Sequence, residues 1–142
     1  MEHSGFQPDR SYTRGTQDQP LLALTIGQAF DNTVAAYPQG EALVVRHQQL
    51  RYTWQQLREA VDLHARALLA LGLKTGDRLG IWAPNCAQWC IAQFASAKIG
   101  AILVNINPAY RSSELEYVLR QSGCQWLILS LIHISEPTRR YA

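Results

Sequence analysis

The sequence predicts an α/β protein with a partial doubly wound parallel sheet, in the order βαβαβ, preceded by an N-terminal helix and a β-hairpin. Continuous apolar runs at residues 79–83, 101–106 and 125–130 are typical of strands buried on both faces. Helical periodicity fills the stretches between these runs. Strands that alternate with helices at roughly 22-residue spacing form right-handed βαβ units, which place helices on the faces of a parallel sheet.

An arm and one helix come first. Residues 1–24 are rich in Gln, Asp, Gly, Ser and Pro and show no apolar period, so they predict an extended N-terminal arm. From Thr25 onward the apolar residues recur at helical spacing, and Pro38 and Gly40 end the pattern. We therefore expect the domain itself to begin at Thr25.

A hairpin follows the first helix. Residues 42–46 and 49–52 are short β-like runs, and the polar residues His47 and Gln48 join them. Two short strands with so brief a polar connection are expected to pair antiparallel. The hairpin then leads directly into the next helix.

Thr53 and Gln56 form a capping box, the pattern that starts a helix. Apolar residues recur at helical spacing behind this box until Gly72, which suits the position just after a helix end. His64 lies on the apolar stripe of this helix. A catalytic histidine is normally accompanied by a nucleophile or carboxylate motif, and none occurs here. We therefore interpret His64 as a histidine packed at the edge of the core.

The following helix is predicted over residues 86–99. Asn85 with Gln88 forms its cap signature, and Gly100 ends it. The segment is apolar nearly all round, so it must be covered on more than one side. Its apolar stretch is interrupted by polar residues and by Gly100, which indicates a buried helix followed by a strand and not a membrane span.

The last helix is predicted from a third capping box, Ser113 with Glu116, and it ends at Gly123. Each of the two crossover helices would then connect consecutive strands of the sheet. A flavodoxin-like response regulator shows the same alternation, but it lacks the hairpin, and no acidic cluster follows the first parallel strand here. We set that alternative aside.

Polar residues follow the predicted strands at the edge where such sheets bind ligands. They are Asn105, Asn107, Tyr110 and Arg111. Two roles are open to them: they satisfy backbone groups of turns and caps, or they contact a ligand directly. We favour the first.

Composition excludes several function classes. The chain has 142 residues, of which 47% are hydrophobic, enough for one core without a disulfide or metal staple. The 13 Lys and Arg against 11 Asp and Glu give a net charge of +2 with no run of like charges, which argues against nucleic acid as a partner. The start of the chain has no apolar signal segment, and three cysteines without a C-x-x-C pattern indicate reduced thiols. We expect a cytoplasmic protein without a transmembrane segment.

The residues by themselves define no reaction centre. Cys86 and Cys90 are four positions apart and could share a helix face, but no further ligands lie nearby, so two buried thiols are favoured over a metal pair. The nucleotide-binding glycine motifs, the zinc-protease motif and the hydrolase nucleophile motif do not occur in the sequence. We therefore assign no catalytic, cofactor-binding or metal-ligating residue.

Three segments carry a resemblance to a known family. Residues 51–57 read RYTWQQL, residues 76–85 read GDRLGIWAPN, and residues 97–108 read AKIGAILVNINP. In this order and spacing they resemble the N-terminal part of the large domain of the AMP-forming adenylating enzymes, whose members include acyl-CoA synthetases, luciferases and peptide-synthetase adenylation domains. The amino-acid sequence at residues 81–85 and 105–111 most resembles that of medium-chain and related fatty-acyl-CoA synthetases.

The resemblance implies a ligase of fatty acid metabolism that uses ATP, Mg²⁺ and coenzyme A. A fatty acid or other carboxylic acid would be adenylated and then transferred to the thiol of coenzyme A. The family's Ser/Thr/Gly-rich loop ending in Lys, its Gly-x-Thr-Glu and Thr-Gly-Asp segments and its C-terminal Lys are all missing from this sequence. The chain would thus be an inactive fragment that binds none of these cofactors well, while the full-length parent would be the enzyme.

The resemblance ends near Ser130. Residues 131–142 resemble translated sequencing adapter, so we predict a non-native tail there and assign residues 25–130 to the N-terminal portion of an AMP-binding domain. His133, alone among apolar residues of this tail, is not expected to bind a metal. Two alternatives stay open: a non-enzymatic α/β module that binds a nucleotide or acyl group or regulates a synthetase, and a piece of another adenylating enzyme. Substrate chain length and oligomeric state do not follow from the sequence.

Overall fold

The computed structural model of the protein describes residues 15–16 and 18–130. Its elements, in chain order, are α1 (Ile26–Ala36), β1 (Glu41–Val45), a 3-10 turn (Arg46–Gln48), β2 (Leu50–Thr53), α2 (Trp54–Ala70), β3 (Arg78–Trp82), α3 (Ala87–Ile99), β4 (Ile102–Asn105), α4 (Ser112–Ser122) and β5 (Trp126–Leu129). The predicted arm lies only partly within the described residues, and the predicted tail, including His133, lies outside them. The order of the elements is the one predicted.

β3, β4 and β5 form a parallel sheet in the order β4-β3-β5. The central strand, β3, pairs with both neighbours along most of its length. The strands predicted at 79–83, 101–106 and 125–130 are confirmed, each with ends one residue away from the predicted ones. Runs that are apolar without alternation therefore marked all three strands, although only the central strand β3 has buried residues on both faces.

The two crossovers run in opposite directions. The connection through α3 leads from β3 to β4 on one side, and the connection through α4 leads from β4 past β3 to β5 on the other. Right-handed crossovers of this kind place α3 and α4 on opposite faces of the sheet, which is the doubly wound arrangement. Leu79 and Ile81 of β3 pack with residues of α3. Gly80, between them, faces the other way, where an added Cβ would lie 3.0 Å from side-chain atoms of Ile106 and Leu127.

Helices α1, α2 and α3 pack against one another and bury the main core beside the sheet. Phe30 and Val34 of α1, Leu57 and Val61 of α2 and Ala95 of α3 are among its fully buried members. Since α3 also packs against β4, the prediction that this apolar helix is covered on several sides is confirmed. Within the described residues, no helix combines the length and apolar character that crossing a membrane requires.

Lys98 connects these three helices. Its Nζ lies 2.8 Å from Oδ1 of Asp31 on α1 and 2.6 Å from Oδ1 of Asp62 on α2. Burial alone would lower the pKa of Lys98, but its hydrogen bonds to the two carboxylates and their charges outweigh burial and raise that pKa. The lysine side chain is 17% exposed and both partners are more open to solvent. Each pair is therefore screened and contributes modestly, on the order of 1 kcal/mol.

Helix ends confirm most of the local predictions. Thr53 Oγ1 accepts a hydrogen bond from the Gln56 N–H at 3.2 Å, and Gln56 Oε1 accepts one from the Thr53 N–H at 2.9 Å, so the predicted capping box is present. Gly100 and Gly123 end α3 and α4 in the left-handed conformation, with φ of 74° and 65°. Glycine adopts this conformation without the steric cost of a Cβ.

The predicted capping box of Ser113 with Glu116 is wrong. Helix α4 begins two residues earlier than that box implies, and its N-cap is Arg111, whose N–H donates to Glu114 Oε2 at 2.8 Å. Glu114 therefore satisfies the N-cap N–H of Arg111, whereas Glu116 was expected to reach the N–H of Ser113. Glu116 instead forms an ion pair of 2.7 Å with Arg120, one turn further along the helix.

The predicted hairpin is confirmed, with a more structured connection than two polar residues suggest. β1 and β2 pair antiparallel, with Val45 opposite Leu50. The 3-10 turn joins them, and Gln49 closes it in the left-handed conformation at φ 55°. This turn places Gln48 next to the start of α3, as its hydrogen bonds show.

Candidate functional site at the carboxyl edge of the sheet

The carboxyl ends of β3, β4 and β5 meet at one edge, because the strands are parallel. The order β4-β3-β5 reverses direction between β3 and β5, and ligands of open α/β sheets bind in the crevice outside such a switch point. Residues 83–86, which follow β3, and Ser130, which follows β5, border this crevice. The Ser130 N–H donates to the Trp82 carbonyl at 3.4 Å, so β5 and β3 are still joined where the crevice opens.

Asn107 holds the turn that follows β4. Its Oδ1 accepts from the Ala109 N–H at 3.0 Å, and its carbonyl accepts from the Tyr110 N–H at 3.0 Å. The same carbonyl also accepts from Nε1 of Trp82 at 3.0 Å, which ties this turn to the end of β3. Asn107 thus has the turn-forming role that we favoured from the sequence.

The other three polar residues at this edge keep exposed side chains. Asn105 ends β4, Tyr110 precedes α4, and Arg111 uses its backbone N–H for the helix cap. All three remain accessible beside the turn that Asn107 fixes. Their geometry is compatible with ligand contact, although it assigns no chemical step to any of them.

The start of α3 differs from the predicted cap of Asn85 with Gln88, which is wrong. The N-cap is Cys86, and its side chain caps no backbone group. The Ala87 N–H instead donates to Oε1 of Gln48 at 2.7 Å, and Nε2 of Gln48 donates to Oε1 of Gln88 at 2.9 Å. Sequence analysis missed this contact because Gln48 lies on the hairpin, far away along the chain.

A groove of about 420 Å³ lies between α3 and β4. It is lined by Ile26, Trp89, Gln93, Ser96, Ala97, Gly100, Ala101, Leu103 and Asn105. None of these lining residues is charged, and Ser96 Oγ already donates to the Gln93 carbonyl at 2.9 Å. The groove therefore offers shape and apolar contact without an acid, a base or a nucleophile.

The three cysteines are half-buried and belong to no metal-binding group within the described residues. Among the residues that the structure describes, Cys86, Cys90 and Cys124 are free thiols, and no group of three or more His, Cys, Asp and Glu side chains could hold a metal ion. Burial raises the pKa of the Cys90 thiol, which keeps it protonated and unreactive. Cys124 accepts a hydrogen bond from Ser122 Oγ at 3.2 Å.

His64 lies on α2 at the edge of the core, as predicted. Its Nε2 is buried and, within the described part of the chain, has no hydrogen-bond partner. Burial lowers the pKa of His64, since the charged imidazolium is poorly solvated there. With no nucleophile or acid in hydrogen-bond contact, the imidazole has no catalytic partner among these residues.

We expect His64 to make the protein less stable in mild acid. The pKa of His64 in the folded protein lies below its unfolded value of about 6.5. Between these two pKa values the unfolded chain binds more protons at this site than the folded protein does. Stability is therefore lost as the pH falls from about 6.5 to the folded pKa. His64→Leu should reduce this loss and raise stability by about 1 kcal/mol at neutral pH, because it removes an unpaired buried nitrogen. The measurement is the urea midpoint at pH 7.5 and pH 5.5. His47→Leu, at an exposed site, is the control; equal acid sensitivity in wild type and His64→Leu would contradict the prediction.

Comparison with known proteins identifies the family. The family model described as AMP-binding enzyme matches residues 30–140, most of the chain. The chain belongs to the AMP-binding enzyme family. The structure places the three segments that carried the resemblance at the entry to α2, at the turn into β3 with the loop after it, and at the junction of α3 and β4.

Curated relatives of this AMP-binding chain are acyl-CoA ligases. Medium-chain acyl-CoA ligase ACSF2, mitochondrial, from Mus musculus is 48% identical over 118 residues, which are 83% of this chain and 19% of the relative. The Danio rerio protein of the same name is 43% identical over 118 residues, again 83% of this chain, and 20% of the relative. The chain thus spans about a fifth of the length of the curated relatives it matches.

Solved structures of adenylate-forming enzymes share the fold. A Mycobacterium tuberculosis fatty acyl CoA synthetase superposes with a TM-score of 0.74 at 29% identity, covering 81% of this chain and 22% of that one. The N-terminal subdomain of Klebsiella oxytoca NpsA gives a TM-score of 0.70 at 27% identity, covering 74% of this chain and 27% of that one. The fold is therefore that of the N-terminal portion of the large domain in these enzymes.

Several residues of the three family segments form turns and helix ends. Gly76, at φ 88°, and Asp77 close the turn into β3, where Asp77 Oδ2 accepts from the Lys74 N–H at 2.9 Å. Gly100 ends α3 against Thr75, and Pro108 follows β4 within the turn that Asn107 holds. Gly76, Asp77 and Gly100 therefore shape the amino ends of β3 and β4, and Pro108 shapes the turn at the carboxyl edge.

Proposed function

We propose that this chain is the N-terminal portion of an ATP-dependent fatty acid–CoA ligase. The observation that carries the proposal is its 48% identity to medium-chain acyl-CoA ligase ACSF2 across 83% of its own length. The identity to the Klebsiella oxytoca adenylation–PCP protein is lower, at 27%. A carboxylic acid activated for transfer to coenzyme A is therefore favoured over one activated for a carrier protein.

The proposed reaction has two steps. A carboxylate oxygen of the acid attacks the α-phosphorus of ATP, and pyrophosphate leaves. The thiol of coenzyme A then loses its proton and its sulfur attacks the acyl carbonyl, the acyl–oxygen bond to AMP breaks, and the thioester forms as AMP leaves. Both steps depend on placing charged groups around phosphates at the right distances, which is mainly the work of positioned cations and backbone donors.

The groove beside α3 offers no charged side chain to Mg²⁺ or to the phosphates of ATP. Within residues 15–16 and 18–130 no cluster of three metal-ligating side chains occurs, and the groove beside α3 is lined by uncharged residues. We therefore assign the binding of ATP, Mg²⁺ and coenzyme A to the rest of the parent protein. This chain contributes the framework that borders the substrate crevice.

Exposed apolar surface supports the proposal that further protein covers this framework. Leu21 and Leu22 are 97% and 81% exposed, and Ile102 on β4 is 48% exposed. Helix α4, all of whose residues are described, buries none of them fully although it crosses a face of the sheet. Apolar surface of this kind is typical of an interface that a larger domain would bury.

The proposal predicts activity for the parent and none for the chain alone. Sequencing the source DNA across codons 128–142 first establishes the parent reading frame, which we expect to continue into a Ser/Thr/Gly-rich loop ending in Lys. The full-length protein and the 142-residue chain are then assayed with ATP, Mg²⁺, coenzyme A and octanoate. We expect pyrophosphate, AMP and octanoyl-CoA in equal amounts from the full-length protein, and only the background of an enzyme-free control from the chain.

Three outcomes would contradict the proposal in different ways. Thioester formation by the 142-residue chain would show that it holds a reaction centre. Adenylation of anthranilate without thioester formation from octanoate would favour a peptide-synthetase adenylation domain. A stop codon directly after Ala142, together with a soluble product, would favour a non-enzymatic binding or regulatory module.

A further inference from the structure

Gln48 links two parts of the molecule that are distant in sequence. It ends the 3-10 turn of the hairpin, and its side-chain amide contacts the first turn of α3. Oε1 accepts from the Ala87 N–H at 2.7 Å while Nε2 donates to Gln88 Oε1 at 2.9 Å. One side chain thus fixes both a backbone group and a side chain at the start of the helix.

This contact replaces a local helix cap. The first N–H groups of an α-helix have no partner inside the helix, and an N-cap side chain normally satisfies one of them. The side chain of Cys86 caps none of them here. The start of α3 is therefore held by the hairpin, and the loop of residues 83–86 is fixed between β3 and this contact.

The same loop borders the crevice at the switch point of the sheet. Residues 83–86 read APNC and carry no charged side chain. The Ala87 N–H, a backbone donor of the kind that binds phosphate at a helix N-terminus, is already bonded to Gln48, whereas the alanine and proline of the loop suit the apolar part of an acid substrate. Displacement of this loop would consequently affect binding of the acid more than binding of ATP.

We infer that Gln48 is a positioning residue: it holds the loop of residues 83–86 in the place where the acid substrate binds. The inference rests on the proposed ligase function, since that function supplies the substrate. Gln48 does not contact the substrate and acts through the loop. Its loss would therefore change the KM for the acid while kcat and the KM for ATP stay close to the wild-type values.

The test uses the full-length protein with three variants. Gln48→Leu keeps the size of the side chain and removes both hydrogen bonds. Gln48→Glu keeps an oxygen for the Ala87 N–H, and its negative charge also suits a helix N-terminus. Gln39→Leu is the matched control, because Gln39 Nε2 donates to Gln55 Oε1 at 3.3 Å at the opposite end of the same hairpin.

Two measurements are made on each variant: amide hydrogen exchange and steady-state kinetics with octanoate and ATP. For Gln48→Leu we expect about tenfold faster exchange at residues 85–87, since a capping contact is lost. We also expect an increase of about tenfold in the KM for octanoate, since the loop moves away from its productive position. Gln48→Glu should restore both quantities to within about twofold of wild type, and Gln39→Leu should change neither.

The outcomes separate the inference from the proposed function. Faster exchange in Gln48→Leu with an unchanged KM for octanoate would make the contact purely structural and overturn the inference. An equal rise in the KM for ATP would also overturn it, because the loop would then not be selective for the acid. If the wild-type protein forms no thioester, the proposed function fails. Amide hydrogen exchange is then the remaining test of Gln48, and an unchanged exchange rate at residues 85–87 in Gln48→Leu would show that Gln48 does not position the loop.

Discussion

Replacing Ile81 with alanine is expected to lower the free energy of unfolding by about 3 kcal/mol, within the range measured for large-to-small substitutions in cores. Ile81 is 1% exposed on β3, the central strand of the sheet, where it packs with Ala83 and Ala92 and with the partly buried Leu103 and Ile128. The substitution removes methyl and methylene contacts between the sheet and α3 and leaves a cavity, because both neighbouring strands hold β3 in place. A loss of this size is a large fraction of the stability of a typical domain.

The matched control is Ile102→Ala, the same chemical change on the neighbouring strand. Ile102 is 48% exposed in the 142-residue chain, so in that chain its truncation should change the free energy of unfolding by no more than about 0.5 kcal/mol. The measurement is urea unfolding followed by tryptophan fluorescence. A similar loss of stability in both variants would contradict the burial that the structure gives Ile81.

Replacing Gly100 with alanine is expected to destabilise the protein by about 2–3 kcal/mol, through the left-handed conformation and a steric contact together. Gly100 has φ of 74°, and an added Cβ would lie 2.8 Å from Cγ2 of Thr75. Thr75 cannot rotate away freely, because its Oγ1 donates to the Ile99 carbonyl at 2.9 Å. The methyl group is therefore held against the position that the new Cβ would occupy.

Two variants separate the two contributions. Gly76 also has a positive φ, of 88°, but an added Cβ there meets no atom within 4 Å, so Gly76→Ala should cost only about 1 kcal/mol. Thr75→Ser removes Cγ2 and keeps the hydroxyl, so in combination with Gly100→Ala it should recover part of the loss. Urea midpoints of Gly100→Ala, Gly76→Ala, Thr75→Ser and the double variant provide the test. No recovery in the double variant would mean that Thr75 is not the obstacle.

The elements that depend on neighbouring residues could be predicted from the sequence. The capping box of Thr53 with Gln56 and the glycines at 100 and 123 were placed correctly, because both signals act within a few residues of the chain. The three strands were predictable for a related reason: each is a short continuous apolar run bounded by turn residues, a pattern typical of strands in a parallel sheet. From these features the fold class and the position of the carboxyl edge of the sheet could be predicted.

The contacts that depend on distant residues could not be predicted in this way. Asn85 and Gln88 have the residue types of a cap, but the N–H that needs a partner at the start of α3 is satisfied by Gln48. Lys98 interrupts an apolar run in the sequence and gives no sign that two carboxylates on other helices surround it. At the candidate site, the turn-forming role of Asn107 was predictable because Asx turns are local, whereas its contact with Trp82 was not.

The strand order β4-β3-β5 also has a consequence for synthesis on the ribosome. The central strand is the first of the three to emerge, and it acquires a partner on one edge when β4 appears after α3. Its other edge stays open until α4 and β5 have also been translated. A nascent chain therefore exposes an unpaired apolar strand edge for that interval, the kind of surface on which partly folded chains associate and which chaperones protect.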